Sequence, residues 1–322
     1  MFNPIRVGVL GCGNMGRNHL RVLSSMSQFQ LVGCFDTNAS ASEEQAALYG
    51  IKQFDSQEEL FDQVELVHVV VPSFLHRDAA VAAANAGCHV LVEKPIALTI
   101  EDAQAIVDAC DASGVKLCVG HVERFNPAIV ALAGIVANEE VLSVDFHRMS
   151  PYDKRVSDAS VVQDLMIHDI DVLNWIADSP VRRVQSQGRV VYSDKPDYVQ
   201  ALVEFENGLV ASLTASRITE SKVRSAEINA KDAFISVDYL NRSVTVSRKT
   251  NFKLDVGHDV QYRQDNIIEK VFVPMVEPLR AEFLHFANAI RDNADIQTSG
   301  EMGIKALRLC EDIERCVSGG VR

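Results

Sequence analysis

Long apolar runs are missing from this chain. Nothing in it approaches the ~20 consecutive apolar residues that a membrane-spanning helix needs, so no membrane partner is expected. Positive charge is short as well: 31 Lys and Arg against 44 Asp and Glu leave a net charge of −13, the wrong sign for nucleic acid. The seven cysteines are scattered and none forms a C-x-x-C pair. That excludes zinc-site spacing and a disulfide framework; they read as small buried residues of a cytosolic protein, and no metal is expected. The opening, Met1-Phe-Asn-Pro-Ile-Arg6, lacks a signal peptide's apolar core and leads almost at once into a strand pattern, so the expected compartment is the cytoplasm. Repeats and low-complexity segments are absent too. What remains is ordinary globular material, 47% hydrophobic and 23% charged over 322 residues, enough for about two domains.

The chain organises itself around its first stretch. An apolar run from Val7 to Leu10 ends in Gly11-Cys-Gly13-Asn14-Met15-Gly16, a G-x-G-x-x-G, and a helix pattern with Leu20 and Leu23 follows. Gly11 suits the tight turn, Gly13 the close approach of a pyrophosphate, and Gly16 the close packing of helix on strand. The helix N-terminus then offers free N–H groups and the positive end of its dipole to phosphates. A second apolar run, Gln30 to Phe35, ends in Asp36, twenty residues after Gly16. An acid there bonds the ribose hydroxyls of NAD and repels the 2′-phosphate of NADP; the alternative is that Asp36 only caps the helix near Ala39 to Tyr49.

Strands and helices alternate through the first third. Helices are expected at 39–49, 57–61, 77–86 and 99–113, the last with Thr99 as N-cap and Gly114 after its end. Strands are expected at 64–71, 88–92 and 115–119. This βαβ alternation predicts a doubly wound parallel sheet over residues 1–122, with ligand at the carboxyl ends of its strands. There, Pro72 to His76, Glu93-Lys94-Pro95 and Gly120-His121 share one crevice. Residues 123–322 read as an α+β domain. A helix at 128–137 and a strand at 141–148 precede a polar loop, 149–159, and a helix at about 161–177. Period-two strands follow at 198–205 and 209–215, joined by Asn207-Gly208, a hairpin signal. Shorter strands near 225–228, 233–239, 243–247 and 270–273 complete a mostly antiparallel sheet with one apolar face. Two helices, 278–293 and about 301–317, close the chain.

Several groups are placed to do chemistry. Lys94, at a strand's crevice end, suits polarising a substrate oxygen as hydride moves, against the reading of a solvated lysine. Asp164 and His168 lie at i, i+4 on one helix, and histidine suits proton exchange with an alcohol. The opposing reading is a surface ion pair. His76 either touches the cofactor or caps a helix, while His68, inside an apolar strand, reads as a core histidine. His19 carries no special context. The stretch His147 to Arg155 concentrates positive charge in an acidic chain, and Arg124 stands ready to join it; it suits an anionic, phosphate-bearing substrate, or is simply a solvated loop.

Together these residues resemble the glucose–fructose oxidoreductase, inositol dehydrogenase and rhizopine-catabolism (Gfo/Idh/MocA) family. The resemblance rests on Gly11-x-Gly13-x-x-Gly16, Pro72-x-x-x-His76, Glu93-Lys94-Pro95, Asp164-x-x-x-His168 and Glu277 to Phe286, and spans essentially the whole chain. It implies NAD held by Gly11, Gly13, Asn14, Met15, Gly16, Asp36, Ser73, His76 and Glu93. It implies oxidation or reduction of a sugar or cyclitol at a secondary alcohol, with Lys94 and His168 acting at the substrate and Asp164 beside them. Which of Lys94 and His168 is the base stays open. It also implies a homodimer or homotetramer built through the second sheet. Within the family, Gly120 to Pro127 and Gln163 to Asp171 resemble the UDP-N-acetylglucosamine 3-dehydrogenases, whose 3-keto product is aminated on the way to amide-linked lipid A. Arg124, Phe125, Arg148, Lys154 and Arg155 are then the expected substrate contacts. A cyclitol or free-sugar dehydrogenase, and a non-catalytic dinucleotide or sugar sensor, are the competing expectations.

Overall fold

The computed structural model describes residues 3–153, 159–256 and 259–319, which divide into two compact units. One is Met1–Phe125 with Val276–Arg308; the other is Asn126–Met275 with Leu309–Arg322.

In the first unit a six-stranded sheet runs β3-β2-β1-β4-β5-β6, every pairing parallel. Its strands are β1 (Ile5–Leu10), β2 (Phe29–Phe35), β3 (Lys52–Gln53), β4 (Leu66–Val69), β5 (His89–Glu93) and β6 (Leu117–Gly120). Between them lie α1 (Asn14–Leu23), α2 (Ala39–Tyr49), α3 (Gln57–Phe61), α4 (His76–Asn85) and α5 (Ile100–Ser113). This is the doubly wound dinucleotide-binding order, with its switch point between β1 and β4. Helices cover both faces, which is why the strands read as unbroken apolar runs. Thr99 caps α5 by accepting from the Asp102 N–H at 3.1 Å, and Gly114 ends it in the left-handed region.

The expected division at 122/123 needs one correction. The chain comes back: α8 (Pro278–Asp292) lays Leu279, Phe283 and Phe286 into the core that holds Val7, Leu20 and Leu23. On the other face, Ile304 and Leu307, from the start of α9 (Gly300–Gly319), join Val90, Val92 and Ile106. Without Val276–Arg308 both faces would be left partly bare.

The second unit holds α6 (Pro127–Val136), β7 (Val141–Met149), a π-helical turn (Val162–Met166) continued by α7 (Ile167–Ala177), and seven further strands. These are β8 (Val181–Arg189), β9 (Tyr198–Phe205), β10 (Val210–Ser216), β11 (Val223–Ala230), β12 (Ala233–Asp238), β13 (Ser243–Val256) and β14 (Asp259–Val271). The sheet order is β14-β13-β12-β11-β7-β10-β9-β8, antiparallel except where β7 meets β10. One face is apolar: Val144 and Phe146, Val199 and Val203, Ile235 and Val237 are all buried. Asn207-Gly208 does close a hairpin, but through a three-residue loop in which only Gly208 has a positive φ, 90°. The expected sequence of strands omitted β8, whose Val-Arg-Arg-Val-Gln-Ser-Gln-Gly-Arg is polar because it forms an edge. Among the described residues no helix is long and apolar enough to cross a membrane.

Candidate active site

Each glycine of the first loop meets a different constraint. Gly11 takes φ +102°, and a Cβ there would stand 2.5 Å from the Val70 carbonyl oxygen. A Cβ on Gly16 would stand 2.0 Å from the Gly11 carbonyl oxygen, so nothing larger fits between α1 and the loop. Beyond its two chain neighbours, no described residue comes within 4 Å of the missing Cβ of Gly13: its space is open, as a pyrophosphate requires. Asn14 and Met15 begin α1 with exposed side chains.

Beside this loop lies a cavity of about 600 Å³, lined by Gly11, Gly13, Asp36 and Thr37 on one side and by Pro72, Phe74 and Leu75 on the other. That is the size range of small-molecule sites. Asp36 Oδ2 accepts from the Cys12 N–H at 2.6 Å, and Oδ1 accepts from the Asn38 N–H at 2.8 Å. The carboxylate is therefore pinned to the glycine loop and faces the cavity. The N-cap of α2 is Asn38, so the capping alternative for Asp36 falls. These residues fit an adenine dinucleotide: an open glycine for the diphosphate, an acid for the ribose, and apolar walls for the base. Phe74 and Gln57 line the cavity without having been singled out in the sequence; an aromatic residue inside the expected crevice loop, 72–76, was the available signal, and the structure leaves it exposed.

Ser73, half-buried, opens the short 3₁₀ turn after Pro72. His76 is neither exposed to the cavity nor the cap of α4. It is 1% exposed, with Nδ1 2.8 Å from the Pro95 carbonyl oxygen and Nε2 2.9 Å from that of Val71, so it ties two crevice loops together. Burial pulls its pKa down, although both carbonyls work the other way. Lys94, half-buried, follows the end of β5. Its N–H donates to Glu93 Oε2 at 3.2 Å, and Glu93 Oε1 lies 3.0 Å from His19 Nε2. Burial raises the Glu93 pKa, but the His19 N–H and the charge of Lys94 outweigh it and hold the carboxyl below the usual range. His68 is a core histidine, as its strand implied, and burial keeps it well below the ordinary imidazole range. Arg124 and Phe125 lie in the 3₁₀ turn Val122–Phe125; both are buried, and the Phe125 ring stands 5.2 Å from that of His285.

In the second unit, Asp164 belongs to the π-helical turn and His168 to the first turn of α7; both are half-buried. A π turn in this position often marks a functional site. Arg148 must be corrected. It was expected to hold an anionic substrate, yet it is 1% exposed and closes on Asp169 through Nε–Oδ2 at 2.8 Å and Nη2–Oδ1 at 2.7 Å, with the Tyr239 ring 5.6 Å away. The signal was in the sequence: Val144, Phe146 and Arg148 share one phase of β7, the core phase. Lys154 and Arg155 lie outside the described residues. A second buried pair had no sequence cue: Arg217 Nε reaches Asp197 Oδ1 at 2.6 Å, and its guanidinium carbon sits 5.8 Å from the Tyr152 ring, beside the basic loop.

Known proteins share the family and the fold of this chain. Residues 5–121 match the model of an oxidoreductase family with an NAD-binding Rossmann fold, and residues 140–236 match the GFO/IDH/MocA C-terminal domain. The UDP-N-acetylglucosamine 3-dehydrogenase of Acidithiobacillus ferrooxidans is 32% identical over 305 residues, 94% of either chain. A solved structure of an enzyme of that name and organism superposes with a TM-score of 0.90 at 30% identity, covering 99% of both chains. The scyllo-inositol 2-dehydrogenase (NAD(+)) of Bacillus subtilis is 25% identical over 333 residues, 95% of this chain and 94% of the other.

Proposed function

The chain belongs to the Gfo/Idh/MocA family of NAD-dependent oxidoreductases, and from that premise we propose that it oxidises the C3 hydroxyl of UDP-N-acetylglucosamine to the 3-keto sugar. The observation that carries the substrate is the 32% identity to a dehydrogenase of that specificity over 94% of both chains. Bound NAD supplies the hydride acceptor.

In this reading His168 takes the hydroxyl proton, Asp164 orients its ring, and Lys94 stabilises the oxygen as negative charge develops on it. Gly11, Gly13 and Gly16 hold the cofactor's diphosphate and Asp36 its ribose. Arg124, Lys154 and Arg155 remain the proposed phosphate contacts; Arg148 leaves that set because Asp169 occupies its guanidinium fork. A 3-keto sugar nucleotide suits amination by a following transaminase, the route to amide-linked lipid A. A homo-oligomer is proposed through the outer face of the second sheet, where Leu202 and Phe234 are exposed.

The test is NADH formation with UDP-N-acetylglucosamine, free N-acetylglucosamine and scyllo-inositol in parallel, followed by identification of the oxidised carbon. Turnover of the free sugar or the cyclitol equal to that of the nucleotide sugar ends the substrate reading and leaves the family reading standing.

A further inference from the structure

Three ionisable side chains line up inside the first unit, under the strand that ends just before Lys94. His68 Nδ1 stands 3.0 Å from His19 Nδ1, and His19 Nε2 stands 3.0 Å from Glu93 Oε1. Both imidazoles are fully buried, and the Phe283 ring closes on them at 4.9 and 4.5 Å. Glu93 Oε2 in turn accepts the Lys94 N–H.

The protons of this chain can be assigned. One proton lies between the two Nδ1 atoms. His68 Nε2 is buried and, among the described residues, has no hydrogen-bond partner. A buried N–H left without an acceptor is rarer than a bare acceptor, so Nε2 is the bare nitrogen and the His68 proton sits on Nδ1. His68 therefore donates to His19. His19, accepting on Nδ1, carries its own proton on Nε2 and donates it to Glu93. Every donor points the same way, toward the carboxylate that holds the Lys94 peptide.

The sheet makes room for that carboxylate. Glu93 pairs with Gly120 across β5 and β6, and a Cβ on Gly120 would stand 3.1 Å from the Glu93 carboxyl. A core needs no such arrangement for stability, since well-packed apolar residues commonly serve as well as buried charged groups or better. Its geometric product is a fixed orientation for the peptide N–H of one residue.

We propose that His19 and His68 are positioning residues for the reaction: through Glu93 they fix the backbone from which Lys94 reaches the substrate. This rests on the reading of Lys94 as a catalytic group. Histidine 19 looked unremarkable in the sequence because its partners lie in β4 and β5, far along the chain.

The test uses the full-length, NAD-loaded enzyme and two substitutions. His19→Leu removes the donor to Glu93, while His19→Gln places an amide N–H where Nε2–H was. His19→Leu should speed hydrogen exchange at the Lys94 amide roughly tenfold or more and lower kcat with UDP-N-acetylglucosamine about ten- to a hundredfold, with KM for NAD held within about threefold. His19→Gln should restore both readouts. Unchanged Lys94 exchange, or wild-type kcat, in folded His19→Leu overturns the proposal. So does a parallel loss of NAD binding, which marks a structural role only. Should His19→Leu fail to fold, Glu93→Leu replaces it: with no side-chain oxygen left to accept the Lys94 N–H, the same losses are expected and their absence is decisive. If the unaltered enzyme does not oxidise UDP-N-acetylglucosamine, the substrate reading fails separately. The kinetic arm then runs on scyllo-inositol, and the exchange arm decides without any substrate.

Discussion

Arg148 and Asp169 form a bidentate pair at 2.8 and 2.7 Å, both side chains almost wholly buried, and Asp169 is the residue that follows His168. The pair ties β7 to α7 at the point where the proposed proton acceptor leaves the helix. Breaking such a pair from one side strands a buried charge. Arg148→Ala should therefore cost about 3–5 kcal/mol in denaturant unfolding. In protein that remains folded, KM for UDP-N-acetylglucosamine should stay within about threefold of wild type, whereas loss of a phosphate contact would raise it roughly ten- to a hundredfold. A large KM effect without loss of stability would return Arg148 to the substrate.

Asp36 should set the cofactor preference. The unaltered enzyme should bind NAD in preference to NADP, because the pinned carboxylate repels a 2′-phosphate. Asp36→Ala should weaken NAD binding and narrow the gap between the two cofactors. Titrations giving equal affinities in the wild type would remove Asp36 from this role.

The loop glycines should separate stability from binding. Gly13→Ala meets open space, so thermal unfolding should scarcely move while NAD affinity falls about tenfold or more. Gly16→Ala forces a Cβ against the Gly11 carbonyl and should lower both. Unfolding scans and NAD titrations on the two variants decide it; a Gly13→Ala enzyme with normal NAD affinity contradicts the assignment of the open space.

Lys94→Met and His168→Ala should each lower kcat by roughly 10²-fold or more while NAD still binds. A variant that keeps wild-type turnover takes its residue out of the mechanism.

Asp197 predicts a pH dependence of stability. Burial opposes its charge, but the N–H groups of Tyr192 and Val191 and the Arg217 guanidinium prevail, holding the carboxyl well below the usual carboxylate range. A carboxyl whose pKa is depressed by folding stabilises fully above its unfolded value, about 3.9, and loses that contribution as pH falls toward the folded value. The unfolding free energies of wild type and Asp197→Asn should thus converge as pH is lowered from about 5 to about 3. A gap that stays constant over that window would show that the charge of Asp197 is not what stabilises the fold.

The first unit was legible because its signals are local. Thr99 and Gly114 mark a helix's ends at its own flanks, and Gly11 to Asp36 carries loop, helix, strand and acid in order. What the sequence hid is long-range. The polar edge strand β8 lacks an alternating apolar face, and the return of Val276–Arg308 to the first unit has no local mark. Arg148 was legible and was misread, because its charge was weighed and its phase on β7 was not. For the candidate site, Asp36 could be placed from spacing alone. The tie between His19 and Glu93 spans 74 positions and leaves no periodic trace.

That return of the chain also sets an order of events during synthesis. When residue 125 leaves the ribosome, every strand of the parallel sheet has been made, yet Phe283 and Phe286 do not exist. The nascent sheet must wait, with both apolar faces incomplete and the His19–His68 pair uncovered, while the whole antiparallel sheet is translated. The nucleotide-binding unit begins before the antiparallel sheet and is finished after it. A chain stopped at Met275 would carry all of its glycine loop and lack the aromatic wall behind it.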